Sequence, residues 1–266
     1  MVGTALAQSS IRRNGEPAAP ARPGEKPADR LSLIRARREL LICTVPDLPA
    51  LSWRNARNGE LEGLDADMAR YFAAQLRVRP VFVETLPGVI VGLVERGGCD
   101  VGMGGLGISP ARAEQVAFTK PFLSGPLAAV SQRSNQRVPG WGEMDREGVV
   151  VSVLAGSVAE EVMRQRLRQA ELFAVPPPLN PEQETSAGRA DVFVTDYADS
   201  RRLREDDAWR VSDAPRTVGE TLYAYAVPKG DPAWLAEVNR FLSAVKGDGT
   251  LLRAAQRWGL REMLVN

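Results

Sequence analysis

Two stretches of the chain show the same order of elements, in which a short apolar run is followed by a helical pattern of apolar residues. The first stretch starts at Leu40, and the order restarts at Gly148. Alternating strands and helices favour a mainly parallel sheet with helices on both faces. Two such units within 266 residues predict an α/β protein of two lobes with a cleft between them.

The spacing of apolar residues locates the elements, because buried strands are short apolar runs and surface helices repeat about every 3.6 residues. The predicted strands are 40–45, 78–83, 100–105, 148–154, 191–196 and 221–227, and the predicted helices are 31–38, 64–76, 89–94, 111–116, 159–170, 232–245 and 251–258. Ligands of parallel sheets bind at the carboxyl ends of the strands. Asp47, Asp196 and the segments 104–112 and 156–157 directly follow predicted strands and are therefore candidates for a binding site.

Composition excludes most common catalytic mechanisms. Histidine is absent and the cysteines are Cys43 and Cys99, so His-based general bases, Cys-His and Ser-His-Asp nucleophiles and four-cysteine zinc sites are ruled out. The 34 Lys and Arg residues against 33 Asp and Glu give a net charge of +1, which argues against a nucleic-acid binder. The sequence has no phosphate-binding G-x-x-x-x-G-K-[ST] loop and no run of ~18 apolar residues that could span a membrane.

Residues 1–30 are predicted to be the remnant of a secretory signal followed by a disordered linker. Ala5-Leu6-Ala7 has the small-x-small pattern of a cleavage site, with the cut before Gln8, although residues 1–8 are too short for a whole signal. A random alanine-rich terminus is the alternative. Segment 9–30 has four prolines and one branched apolar residue, too little apolar surface to offset the entropy of ordering.

Nine short motifs follow one another between Glu39 and Leu260. They read PDLPALSW at 46–53, NGELEGLDAD at 58–67, GGCDV at 97–101, GLGISPAR at 105–112, FTKPF at 118–122, AGS at 155–157, GRADV at 188–192, TD at 195–196 and KGDG at 246–249. In their order and spacing, these motifs resemble the periplasmic solute-binding proteins of polar amino-acid ABC importers, the family 3 solute-binding proteins. No single motif is specific, but together they predict the fold of that family.

The resemblance implies a type II periplasmic binding protein fold, with a ligand cleft between two lobes and two hinge crossings. It divides the chain into a first lobe formed by 31–125 and 222–266 and a second lobe formed by 126–221. The implied function is capture of an amino acid or similar small carboxylate in the periplasm and its delivery to the membrane permease of an ABC importer. The resemblance further implies a monomer that catalyses no reaction and uses no cofactor, metal or nucleic acid.

The resemblance also assigns roles around the head group of the ligand. The planar guanidinium of Arg112 can donate two hydrogen bonds to the α-carboxylate, and backbone N–H groups at a helix start offer further donors. Asp196 offers an anion to the α-ammonium, together with the carbonyl of Gly105. The implied ligand-binding residues are Asp47, Trp53, Leu86, Gly105, Gly107, Arg112, Gly156, Ser157, Val158 and Asp196. Because Arg112 and Asp196 belong to different lobes, closure would complete the site.

Structural alternatives remain for the polar candidates. Arg112 could form a solvated ion pair with Glu114, and Asp47 could belong to a turn. Asp196 and Ser157 could each cap a helix, although a helix cap can also bind a ligand through its backbone.

The sequence departs from the family where the side chain of the ligand would bind. The hydroxyl residue expected in the glycine loop is Gly107, and the aromatic residue expected after the second strand is Leu86. The aromatic residue of the first loop is missing, although Trp53 could compensate. Val153 and Leu154 stand at positions that are often polar. A pocket of this kind predicts a small or aliphatic ligand rather than glutamine or a basic amino acid.

Cys43 and Cys99 are placed by the sequence near the interior of neighbouring strands of the first lobe. Two cysteines so placed in an oxidising compartment could pair, since neighbouring strands allow the Cα separation that a disulfide requires. The alternative is two buried free thiols, which behave as small apolar side chains.

Two other functions remain open from the sequence. Cyclohexadienyl dehydratases resemble this family and use a carboxylate as general acid, and the matching position here is Asp199. That reading is weakened because Asp is shorter than the expected Glu and because the expected polar partner is Val153. The third reading is a sensor ectodomain, or a partner of a periplasmic oxidase, whose pocket has drifted and binds small molecules weakly.

Overall fold

A computed structural model describes residues 29–265. The predicted signal remnant and most of the predicted linker, residues 1–28, lie outside the described residues. Arg30, which the sequence places in the linker, is the first residue of a helix. Asp29 caps that helix, because its carboxylate accepts the backbone N–H of Ser32 at 2.8 Å.

The described chain alternates short strands and helices throughout. Its first part contains α1 (Arg30–Arg37), β1 (Glu39–Thr44), β2 (Asp47–Leu48), β3 (Ser52–Arg54), β4 (Leu61–Glu62), α2 (Leu64–Leu76), β5 (Arg79–Glu84), α3 (Ile90–Glu95), β6 (Val101–Gly102), α4 (Pro110–Gln115), β7 (Val116–Phe118) and β8 (Leu123–Gly125). The middle part contains β9 (Ala128–Gln132), β10 (Val150–Leu154), α5 (Val158–Arg166), β11 (Glu171–Val175), α6 (Pro181–Ser186), β12 (Val192–Thr195), α7 (Tyr197–Arg204) and β13 (Trp209–Asp213). The last part contains β14 (Thr221–Tyr223), β15 (Ala226–Pro228), α8 (Pro232–Gly247) and α9 (Thr250–Arg257).

Two five-stranded sheets form the framework of the two lobes. The first sheet has the order β5-β1-β6-β15-β7, and the second has the order β11-β10-β12-β9-β13. In each sheet four strands run in the same direction. The fifth strand, β15 in the first sheet and β9 in the second, is antiparallel to both of its neighbours. The α/β fold with two lobes therefore agrees with the sequence analysis. The lobe limits at 125/126 and 221/222 stay a prediction.

A two-stranded antiparallel ribbon joins the two lobes. It consists of β8 and β14, with Leu123 opposite Tyr223 and Gly125 opposite Thr221. The sequence predicted a single strand over 221–227, whereas the structure has β14 and β15 in different sheets. The strand breaks because Ala224 and Tyr225 bond to loops instead: the Ala224 N–H donates to the Leu106 carbonyl at 3.0 Å, and the Tyr225 N–H donates to Thr119 Oγ1 at 3.0 Å.

Each lobe has its own apolar core. The first core is centred on stacked rings of Phe72, Trp234 and Phe241, with ring centroids 5.5 and 4.6 Å apart. The second core packs Val151 and Val153 of β10 against α5 and β12. Within residues 29–265, no helix is both long enough and apolar enough to cross a membrane.

Helix α5 ends at Arg166, four residues before the predicted end of this helix at 170. The reason lies in Asp145, whose carboxylate accepts the backbone N–H groups of residues 168, 169 and 170 at 2.9 to 3.1 Å. These amides would otherwise bond within a longer helix, so a side chain distant in sequence ends it.

The two cysteines form a disulfide in the first lobe, with a Cα separation of 5.6 Å. Cys43 lies in β1, and Cys99 lies two residues before β6 rather than within a strand. Both are fully buried in an apolar cluster with Ile90 and Val94 of α3. The disulfide alternative of the sequence analysis is therefore confirmed, and the bond fixes the loop that enters β6.

Removing the disulfide should lower the stability of the protein. The bond closes a loop with a sequence separation of 56, so we expect Cys43→Ala/Cys99→Ala to reduce the free energy of unfolding by about 2–4 kcal/mol. Urea unfolding with and without reductant measures this, and the double variant should not respond to reductant. Mass spectrometry after alkylation in denaturant should show two added groups only after reduction. Two added groups without reductant would contradict the disulfide.

Candidate functional site

A cleft lies between the two lobes and encloses a cavity of ≈ 490 Å³. Residues from loops of both sheets line it, as expected for the carboxyl ends of the strands. The sequence-predicted residues that line the cleft are Asp47, Leu86, Gly105, Arg112, Gly156, Ser157, Val158, Asp196 and Asp199. Trp53 and Gly107, which the sequence also assigned to the site, are not among its lining residues.

Trp53 lies beside the cleft rather than in it. It belongs to β3, where it pairs with Asp47 of β2 and Glu62 of β4 in a small three-stranded sheet. Leu48 of β2 lines the cleft at this end. The first loop therefore contributes an aliphatic side chain to the wall and no aromatic ring.

Gly107 lies beside Arg112, outside the lining of the cleft, and leaves no room for a side chain. A Cβ at this position would lie 2.5 Å from a methyl group of Val158, across the cleft, and 2.9 Å from a methyl group of Thr221. The Gly107 carbonyl accepts a hydrogen bond from Arg112 Nη1 at 3.0 Å. Glycine at this position therefore permits the close approach of the two lobes in this conformation.

Arg112 spans the cleft from the first lobe to the second. It lies in α4, which Ser109 caps, and its side chain is 10% exposed. Its Nη2 donates to the Gly156 carbonyl at 2.7 Å, and its Nε lies 3.0 Å from Glu161 Oε1. Burial lowers the pKa of Arg112, and the Glu161 carboxylate opposes that shift. The guanidinium is thus bound to a carbonyl of its own loop and to two groups of the second lobe.

The start of α5 faces Arg112, and some of its polar groups are already bonded to Glu160 of the same helix. Ser157 caps α5, because its Oγ accepts the N–H of Glu160 at 3.2 Å. The Gly156 N–H donates to Glu160 Oε2 at 2.7 Å. Gly156 has a φ of 76°, and a Cβ there would overlap with the backbone of Gly88 in the first lobe. The lobes touch at these two glycines.

Asp196 follows β12 and both caps a helix and faces the cleft. Its Oδ1 accepts the N–H of Asp199 at 3.0 Å, which starts α7. Burial, and then the neighbouring Asp199 carboxylate, raise the pKa of Asp196 to about 6. Asp196 therefore caps α7, as the structural alternative expected, and also lines the cleft.

Asp199 also lines the cleft, but polar partners hold its carboxylate. Thr195 Oγ1 donates to its Oδ2 at 2.9 Å, and Arg202 Nε bonds to its Oδ1 at 3.0 Å. Arg202 in turn pairs with Glu182. Both oxygens of the Asp199 carboxylate thus already accept hydrogen bonds from side chains of the second lobe.

Tyr223 is a lining residue that the sequence analysis missed. It is 3% exposed, and its hydroxyl is buried without a hydrogen-bond partner among the described residues. Burial, and then the nearby Asp196 carboxylate, raise the pKa of Tyr223 well above its usual value, while Thr221 and then Arg112 act in the opposite direction. The hydroxyl therefore stays protonated between the two charged side chains. No sequence signal separates Tyr223 from Tyr225, which is equally buried but bonds to Asp65.

The remaining walls of the cleft are largely apolar. They include Leu86 and Ile90 from the first lobe and Leu154, Leu179 and Phe193 from the second. Leu86 is half-exposed at the mouth. No group of three or more Cys, Asp and Glu side chains within residues 29–265 is arranged to hold a metal ion.

Residues 40–261 match the sequence profile of the bacterial extracellular solute-binding proteins, family 3. The chain belongs to this family. The match spans both sheets and the ribbon between them, so it covers every residue of the cleft.

Known relatives of this family 3 protein include binding proteins and an enzyme. Cyclohexadienyl dehydratase of Pseudomonas aeruginosa is 26% identical over 233 residues, which are 86% of this chain and 85% of the enzyme. The amino-acid-binding protein AabA of Dichelobacter nodosus is 25% identical over 230 residues, 82% of this chain and 87% of AabA. The ancestral amino acid-binding protein AncCDT-1, a precursor of cyclohexadienyl dehydratase, superposes with a TM-score of 0.78 at 28% identity, covering 86% of this chain and 98% of AncCDT-1. These likenesses confirm the type II fold.

Asp65 holds in place the loop of the family 3 protein that contains Gly105. It lies in the first turn of α2 and is 1% exposed. Its Oδ2 accepts the Gly105 N–H at 2.9 Å, and its Oδ1 accepts the Tyr225 hydroxyl at 3.1 Å. Burial raises the pKa of Asp65 to about 6 in spite of these two hydrogen bonds. A buried carboxylate therefore fixes the backbone of a cleft residue.

Asp65 should make stability depend on pH. Its pKa is about 6 in the folded protein against 3.8 for the ordinary group, so the folded state holds the proton more tightly. The resulting stabilisation, about 3 kcal/mol, is complete below pH ~4 and is lost as pH rises through ~6. Asp65→Asn keeps an acceptor for Gly105 and removes this titration.

Urea unfolding of the wild type and Asp65→Asn between pH ~4 and ~7 measures the effect. The wild type should lose stability relative to Asp65→Asn as pH rises. The difference in the free energy of unfolding, Asp65→Asn minus wild type, should therefore be larger at pH ~7 than at pH ~4. A constant difference across this range would show that Asp65 does not titrate as stated.

Proposed function

We propose that this protein is the solute-binding component of an ABC importer. It captures an amino acid or a similar small carboxylate outside the cytoplasm and delivers it to a membrane permease, without catalysing a reaction. It is exported to the periplasm and acts there as a monomer without a cofactor. Membership of the family and the likeness to AabA support this proposal.

The observation that carries the proposal is the pair of opposite charges on the two sides of the cleft. Arg112 belongs to the first lobe and Asp196 to the second, and both line the same cavity. Asp196 and the carbonyl of Gly105 receive the ammonium of the ligand, and Arg112 receives the carboxylate. The unpartnered hydroxyl of Tyr223 lies near both charges and can donate to the carboxylate or accept from the ammonium.

The apolar walls favour a small or aliphatic side chain on the ligand. Leu154, Leu179 and Phe193 offer no hydrogen bond to a polar side chain, and burying an unpaired polar group is costly. AncCDT-1 is also described as a cationic amino acid solute-binding protein. In this protein Leu86 lines the cleft at the position where the resemblance to the family implies an aromatic ring.

Asp196→Asn tests the role of the charge while keeping the helix cap, because Asn caps as well as Asp. A thermal-shift screen of the common amino acids identifies the most stabilising one, and calorimetry then gives its affinity. We expect Asp196→Asn to weaken binding by about 10- to 100-fold. Wild-type affinity should also fall as pH drops below ~6, where Asp196 takes up a proton, and the variant should lose this dependence.

Asp231→Asn is the matched control, because Asp231 caps α8 away from the cleft by accepting the Trp234 N–H at 2.9 Å. It should bind like the wild type. Equal affinities for the wild type and Asp196→Asn would contradict the proposed site. Stabilisation by arginine or lysine alone would contradict the aliphatic pocket, and no binding of any amino acid would favour the drifted sensor or partner protein.

A dehydratase activity is the second candidate, because Asp199 lines the cleft and one relative is a cyclohexadienyl dehydratase. Two observations argue against a dehydratase activity. Arg202 pairs with the carboxylate that would have to donate a proton, and Val153, at the position of the polar partner, is fully buried in the core of the second lobe.

Incubation with prephenate should therefore yield no phenylpyruvate above the uncatalysed rate, as followed by ultraviolet absorbance. Product formation that is lost in Asp199→Asn would overturn the binding-protein proposal in favour of the enzyme. Product that persists in Asp199→Asn would point to a contaminating activity.

A further inference from the structure

Two consecutive glutamates of α5 already occupy donors that a ligand carboxylate would use. Glu161 Oε1 lies 3.0 Å from Arg112 Nε, and Glu160 Oε2 accepts the Gly156 N–H at 2.7 Å. Arg112 and Gly156 are both lining residues of the cleft. The protein thus presents its own carboxylates to its carboxylate-binding groups.

The local fold holds these glutamates in place. Both lie in the first turn of α5, where the helix dipole favours negative charge, and Ser157 caps that turn. Arg164 pairs with Glu160 one turn further along the helix. The Glu161 side chain is 34% exposed against 10% for Arg112, so Glu161 reaches the buried guanidinium from the solvent side of the cleft.

A carboxylate that enters the cleft has to compete for Arg112. The two terminal nitrogens of the guanidinium each donate to a carbonyl, of Gly107 and of Gly156, and Nε faces Glu161. A ligand carboxylate must displace Glu161 or share the guanidinium with it. Sharing brings like charges together, which weakens binding. Among residues 29–265, no cationic side chain pairs with Asp196 and no group donates to the Gly105 carbonyl, so the groups proposed to bind the ammonium have no such competitor.

We propose that Glu161, with Glu160 beside it, determines specificity by competing with the carboxylate of the ligand for Arg112. This inference rests on the proposed function, because it concerns the same cleft and the same amino acid. Glu161 lowers the affinity for α-amino acids and leaves the affinity for the corresponding amines, which lack a carboxylate, largely unchanged. The difference in affinity between an amino acid and its amine is therefore smaller than it would be if Arg112 had no competing carboxylate.

Glu161→Gln is the decisive variant, because Gln keeps the length of the side chain and an acceptor for Arg112 while removing the charge. Calorimetry compares two probes in the wild type and the variant. One is the most stabilising amino acid of the screen, with L-leucine included in every case, and the other is its amine, isoamylamine for leucine. Glu171→Gln, an exposed glutamate at the start of β11 in the same lobe, is the matched control. Circular dichroism checks that each variant is folded.

We expect Glu161→Gln to bind the amino acid about tenfold more tightly and the amine with an affinity within about twofold of the wild type. Glu160→Gln/Glu161→Gln should bind the amino acid at least as tightly, and Glu171→Gln should match the wild type. If Glu161→Gln binds the amino acid and the wild type does not, that result would also support the proposal.

An amino-acid affinity that is unchanged or weaker in Glu161→Gln would overturn the inference and leave the proposed function standing. A weaker affinity would mean that Glu161 holds the lobes together instead of competing. An equal gain for the amine would likewise overturn it, since the effect would not involve the carboxylate. No amino-acid binding by either protein would overturn the proposed function and this inference with it.

Discussion

The contacts of one buried guanidinium connect the two lobes, and the rest of the cleft depends on them. Arg112 reaches from α4 to the Gly156 carbonyl and to Glu161, while it also bonds to Gly107 in its own loop. A buried cation is stable only when its donors are paired. In this conformation the second lobe supplies two of the partners of Arg112, and the glycine contacts between the lobes permit their close approach. The close contact of the lobes and the pairing of this buried charge thus occur together in the structure.

Much of the fold could be predicted because the apolar runs and turns are local signals. The strands of 40–45 and 148–154 and the helix at 64–76 match elements of the structure closely. The errors arose where distant groups bond to the backbone. Asp145 ends α5 early, and the Leu106 carbonyl and Thr119 hydroxyl break the predicted strand 221–227. None of these contacts can be recognised from the sequence around the affected element.

The residues of the candidate site differ in the same way in how far the sequence could predict them. Arg112 and Asp196 were assigned from the resemblance to the family, and both lie in segments that follow strands, which is where residues of parallel sheets reach a cleft. Glu161 and Tyr223 could not be predicted, because their importance comes from what stands opposite them in the folded molecule. Trp53 was assigned to the site from its place in a loop, but pairing within a small sheet holds it outside the cavity.

The position of Tyr223 on the connecting ribbon has a mechanical consequence. Its backbone pairs with Leu123 in the ribbon that joins the two lobes, and its side chain lines the cleft near Asp196. A rotation of one lobe against the other about this ribbon would therefore displace the phenol relative to Asp196. The angle between the lobes would then set which polar groups a solute meets, without a relay through other side chains.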